Sequence, residues 1–133
     1  MYVDASALVA MIVGETEAER LLNILDASPG DRITAPIAHF EAVAGIARIR
    51  ACSIINAQAL VRDFCREAEI TIVSIDDGHA DLAIVAMERF GKGRHKAALN
   101  MGDCFGYAVA KAANAPILFI GDDFSRTDLV GAD

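Results

Sequence analysis

Five acids, from four separate segments, stand at or near the edges of apolar runs. They are Asp4 after "MYV", Glu41 inside "PIAHFEAVAGIARIRA", Asp103 directly after Gly102, and the neighbours Asp122 and Asp123 after "APILFIG". Carboxylates brought to one place from separate elements repel one another unless a cation sits between them. Mg2+ or Mn2+ suits such a cluster, because both accept carboxylate oxygens and keep positions for water and phosphate. A metal held there polarises a phosphodiester, brings the pKa of a water towards neutrality and stabilises the leaving oxygen. Two ions ~4 Å apart would do all three.

Each acid also has a local role that competes with this one. Asp4 can cap the helix that follows, but Ser6 can cap the same helix and leave Asp4 at a strand end. Glu41 can lie on a solvated helix face. Asp103 can be an N-cap, with Gly102 supplying the turn before it. The run containing Gly106, Ala108, Ala110, Ala112 and Ala113 is so small, however, that its helix must pack closely. Asp103 is thereby carried to the rim of the core, where a desolvated carboxylate needs a counter-charge. Asp122 and Asp123 follow an apolar strand, where one of them can be a turn residue.

The elements that position these acids follow from periodicity. "MYV", "RIT", "EITIVSI" and "APILFIG" read as strands. "SALVAMIV", "TEAERLLNILDAS" and "DDGHADLAIVAMERF" read as helices, and another is expected to begin at Asp103. Pro36 suits the first turn of a further helix, whose apolar face is expected to carry Ile37, Phe40, Ala44 and Ala47. With the next segment, carrying Ile54, Leu60, Val61 and Phe64, it forms an expected helical hairpin. Strands separated by helices imply an α/β sandwich with a mainly parallel sheet. Sites on such sheets gather outside the carboxyl ends of strands, where Asp4 and the Asp122–Asp123 pair fall.

The length of 133 residues suits one domain, residues 1–133. With more than half the residues apolar and only three prolines, the composition is that of an ordered globular protein. The net charge of −7 excludes a uniformly basic nucleic-acid binder, though not a local basic patch. Arg89, Lys92, Arg94, His95 and Lys96 form such a patch shortly before Asp103. Arg94 and Lys96, with Ser6, are the expected substrate-side residues. Cys52, Cys65 and Cys104 show neither a disulfide framework nor a zinc spacing, which fits a reducing cytoplasm. The apolar run from Ala7 to Val13 is too short to span a membrane.

With Asp4, Glu41 and the "GDC" of residues 102–104 in place, the sequence resembles the PIN-domain family, and within it the VapC-type toxins of bacterial toxin–antitoxin pairs. "VDASALVAMI" is similar to that family's opening strand and helix. "ALNMGDCFGYAVAKAANAPILFIGDDFSRTDL" is similar to its C-terminal signature. The resemblance covers essentially the whole chain. It implies a PIN-like three-layer α/β/α sandwich and a metal-dependent ribonuclease that hydrolyses RNA. It also implies neutralisation by a cognate antitoxin, and a homodimer.

Carried over by position, Asp4, Glu41 and Asp103 are the acidic metal-site residues, and Ser6 is the small hydroxyl residue that hydrogen-bonds within the site. Many relatives place the fourth acid where this chain has Gly121; Asp122 is the expected substitute and Asp123 the alternative. The expected cofactor is one Mg2+ (or Mn2+) held by Asp4 and Asp103, with Glu41 binding metal or orienting water. Two rival readings are a receiver-like phosphoacceptor module and a PIN-like domain that binds without catalysis. "ILFIGDD" lacks the Lys that a receiver carries after a late strand, and intact Asp4, Glu41 and Asp103 speak against pure binding.

Overall fold

Short runs rich in β-branched and aromatic residues cross the interior of the molecule. In the computed structural model, which describes residues 1–133, they form β1 (Tyr2–Val3), β2 (Arg32–Thr34), β3 (Ile70–Ile72) and β4 (Ile117–Leu118). All pair in parallel, in the order β3-β2-β1-β4. Parallel neighbours require crossovers, and helices supply every one. β1 connects to β2 through α1 (Ala5–Val13) and α2 (Ala18–Ala27). β2 connects to β3 through α3 (Pro36–Arg50) and α4 (Ile54–Glu67), and β3 to β4 through α5 (Asp77–Phe90) and α6 (Met101–Ala112). The α/β class, the parallel sheet and the α3–α4 hairpin are those the sequence implies.

Strand order decides where a site can form. From β1 the chain moves outward to β2 and β3, then returns to add β4 on the other side of β1. The crevice at such a reversal opens above the carboxyl ends of β1 and β4. Asp4 leaves β1 there with its backbone N–H bonded to the carbonyl of Leu118 at 3.0 Å. The strands are shorter than the apolar runs that predict them, since "EITIVSI" and "APILFIG" contribute only three and two residues to the sheet.

One cluster of 32 buried residues forms the core, with Leu8, Leu21, Leu25 and Ile46 almost wholly enclosed. Each such side chain stabilises the fold by about 1.5–3 kcal/mol relative to leaving it in water. The hairpin buries the expected face only in part: Ala47 and Val61 are buried and Ile37 and Phe64 half-buried, while the rest of that face turns outward. Ala38, Ala42, Val43, Ile46 and Ala47 of α3 and Ala57, Val61 and Cys65 of α4 point inward. Phe40 is 75% exposed, Ile54 62% and Ile55 77%, while Leu60 and Ala44 also face solvent. Ala38, Ala42 and Ala47 allow α3 to approach its neighbouring helices closely, sharing the interior with Val43 and Ile46 while Phe40 is left outside. Likewise Gly106 of α6 accepts Tyr2 of β1: a Cβ there would stand 3.1 Å from the phenol oxygen.

Candidate active site

Asp4 is both a helix cap and part of the site. It is the N-cap of α1, and its Oδ2 accepts from the backbone N–H of Ser6 at 2.9 Å and from the Ser6 hydroxyl at 2.6 Å. Ser6 does not replace it as cap. Instead Ser6 Oγ accepts from the N–H of Ile120 at 3.0 Å, pinning the chain after β4 to the start of α1. Burial raises the pKa of Asp4. The Ser6 bonds oppose that rise and the charge of Asp123 adds to it.

Asp103 sits one turn into α6 and is not its N-cap. Asn100 takes that position, and the two residues form a capping box. The Asp103 N–H donates to Asn100 Oδ1 at 2.9 Å, while the Asn100 N–H donates to Asp103 Oδ2 at 3.1 Å. Asn was as good a cap candidate as Asp, so the helix begins two residues earlier than expected, at Met101. Burial is the main cause lifting the Asp103 carboxyl to about 6; the Asn100 bond lowers it, and Asp4 and Asp123 push it up.

Glu41 lies in the second turn of α3. The residue as a whole is exposed, but its carboxylate end rests against Gly102 of α6. Desolvation of that end raises its pKa first, and the charges of Asp4 and Asp103 raise it further. Beneath them the buried Tyr2 phenol is held well above its ordinary value by burial and by the same three carboxylates. These acids, with Ser6 and Asp123, line one cavity of about 380 Å³ at the reversal between β1 and β4.

Residues 1–130 match the PIN domain family. This chain belongs to the PIN domain family. It is 37% identical to a VapC ribonuclease of Rhizobium meliloti (strain 1021), an alignment covering 96% of this chain and 98% of that one. It is 33% identical to ribonuclease VapC30 of Mycobacterium tuberculosis (strain ATCC 25618 / H37Rv), covering 97% and 95%. Among solved structures, Mycobacterium tuberculosis VapC20, described as a sarcin–ricin loop cleaving toxin, superposes with a TM-score of 0.74. That match has 16% identity and covers 97% of this chain and 95% of the other. A toxin–antitoxin complex from Klebsiella pneumoniae matches with a TM-score of 0.69 at 17% identity, covering 96% and 92%. At those identities the structural matches speak for the fold.

In this PIN domain the remaining predicted site residues do not all converge. Asp123, not Asp122, lines the cavity and raises the pKa of both Asp4 and Asp103. Asp122 turns outward, 3.8 Å from Arg126, with its side chain 80% exposed. Gly121 turns the chain with φ +101°, and Asp123 directly precedes the buried Phe124, which lines the same cavity. Arg94 pairs with Glu88 at 3.3 Å, and Lys96 is exposed with its carbonyl accepting from Arg126. Neither lines the cavity.

The cation that does line it is Arg48, which has no ion-pair partner. Its spacing of seven from Glu41 puts both on one face of α3 two turns apart, a signal the sequence carried. The acids ring the cavity without closing on a point, and no three His, Cys, Asp or Glu side chains are grouped as ligands of one ion. No helix is long and apolar enough to cross a membrane.

Proposed function

We propose that this chain is a Mg2+-dependent endoribonuclease that acts as the toxin of a toxin–antitoxin pair. One observation carries the reading. Asp4, Glu41 and Asp103 share a cavity, each has its pKa raised by burial, and no Lys or Arg within ion-pair distance offsets their charge. Hard oxygen donors in that state fit a divalent cation. Because no three acids form a tight ligand group, Asp4 and Asp103 would hold Mg2+ or Mn2+ through one or two carboxylates, with water completing the shell. A bound ion supplies Lewis-acid polarisation of the scissile phosphate and activation of water.

The chain's own residues do the rest. Ser6 fixes Asp4 and ties it to the segment after β4, while the Asn100 box fixes Asp103. Glu41 orients the attacking water and accepts its proton, for which a raised carboxyl pKa is suited. Asp123 is the fourth acid. Arg48, unpaired at the same cavity, meets a phosphate of the RNA backbone. The names of the VapC relatives support RNA as substrate, and the toxin–antitoxin neighbour supports an antitoxin partner. An antitoxin arm inserting an Arg among the acids would offset their charge. The outward-facing Phe40, Ile54 and Ile55 offer apolar surface for a homodimer. We place the protein in the cytoplasm.

The test is cleavage of structured RNA by purified protein with Mg2+, with Mn2+ and with EDTA, beside the Asp4→Asn and Asp103→Asn variants. Wild type is expected to cut only with metal, and each variant to lose about 10²–10³-fold in kcat. Equal cleavage by all three proteins, or undiminished cleavage in EDTA, would sink the assignment.

A further inference from the structure

Gly102 lies inside the first turn of α6, between the cap Asn100 and the site acid Asp103. Its φ is not in the left-handed region, so no turn demands glycine here. Glycine inside a helix is less favourable than alanine, which leaves its presence to be explained by what lies against it. The neighbour is specific. A Cβ built on Gly102 would overlap Oε1 of Glu41 and stand 2.6 Å from its Cδ. No other atom outside the helix comes as near.

We propose that Gly102 is a positioning residue for Glu41, and that its missing side chain is the seat in which the Glu41 carboxylate lies beside Asp103. This rests on the ribonuclease reading of the site. Two acids on different helices, α3 and α6, come together only if one helix yields room, and side-chain volume on α6 sets how close they approach. The obstructed group is the tip of a flexible side chain and not backbone. A methyl at position 102 therefore swings Glu41 aside while leaving the helices in place.

Gly102→Ala separates this role from a packing role, with Glu41→Gln and the double variant completing a cycle. The expected crystal structure of Gly102→Ala shows a displaced Glu41 carboxylate and an unchanged α3–α6 arrangement, with Tm no lower than wild type. RNA cleavage is expected to fall about a hundredfold in kcat, the scale of a catalytic group displaced by about an ångström, with KM within about twofold. In the Glu41→Gln background the same substitution should cost almost nothing more, because the group it displaces is already disabled.

A carboxylate that stays in its seat overturns the proposal. So does a lowered Tm with the carboxylate in place, which would make Gly102 a packing residue, or an equal loss in both backgrounds. If wild type cleaves no RNA, the ribonuclease reading falls by itself, and the position of Glu41 in Gly102→Ala still decides whether Gly102 seats it.

Discussion

The N-terminal turn of α6 and the opposite part of the same helix treat an acid in opposite ways. At the far side Asp128 accepts from the Tyr107 hydroxyl at 2.7 Å, stands 3.0 Å from Lys111 and pairs with Arg89 at 3.4 Å. Although burial alone would raise its pKa, the Tyr107 and Lys111 bonds and the two cations bring it below the ordinary value. At the near side Asp103 has acids around it, and burial lifts its carboxyl to about 6. Asp128 pins the C-terminal segment, and its charge is met in full by the protein. Asp103 carries a charge that no protein cation pairs, the kind of perturbed carboxyl that gathers at functional sites.

The comparison is broken most severely at the turn after β4. Asp123→Asn is expected to lower RNA cleavage about a hundredfold, whereas Asp122→Asn, paired only with Arg126 at the surface, changes it less than about twofold. Parallel single-turnover assays check this, and a reversed order would return the fourth-acid role to Asp122.

Stability should then separate the two ends in sign. Without metal, Asp103→Asn keeps the box with Asn100 but removes an uncompensated charge. Its Tm should rise by roughly 3–5 °C, equivalent to about 1 kcal/mol. Asp128→Asn removes a paired charge and should lower Tm by a similar amount while leaving cleavage intact. Calorimetric melts in EDTA measure both, and two shifts of the same sign would erase the distinction.

The smallest effect is a pH dependence. A carboxyl whose pKa is higher folded than unfolded makes the native state hold the extra proton in between. Asp103 therefore stabilises the metal-free protein progressively as pH falls from 7 through about 6 towards 4. Asp128 works the other way, and its contribution is lost only below the ordinary carboxyl range. Protons and metal compete for the same oxygens, so Mg2+ should raise Tm more at pH 7 than at pH 5. Equal shifts at the two pH values would place the ion away from Asp103.

Much of this is legible in the sequence. The four strands stood out by β-branched content and the α3 start by Pro36. Asp4, Glu41 and Asp103 are picked out by lying on separate elements and by the family resemblance, and the structure brings them to one cavity. What escaped depended on distances that only packing sets. Periodicity marks apolar residues but not all of those that face inward, so Ala38, Ala42, Val43 and Ile46 of α3 and Ala57 and Cys65 of α4 are missed while Phe40 and Ile54 are wrongly favoured. Proximity in sequence favours Arg94 and Lys96 as substrate contacts, yet neither lines the cavity, whereas Arg48, two helical turns from Glu41, does. Gly102 reads in the sequence as the turn before a helix, whereas in the structure the Glu41 carboxylate from another helix occupies the space a side chain there would fill.

The box between Asn100 and Asp103 has one more effect. By accepting the Asn100 N–H, Oδ2 of Asp103 stops the carboxylate from rotating and leaves Oδ1 with a fixed heading. On the proposed metal reading, a cation bound there would meet a ligand whose freedom was given up when the helix formed, so selectivity would rest on the ion's size and hydration and not on how readily the protein rearranges.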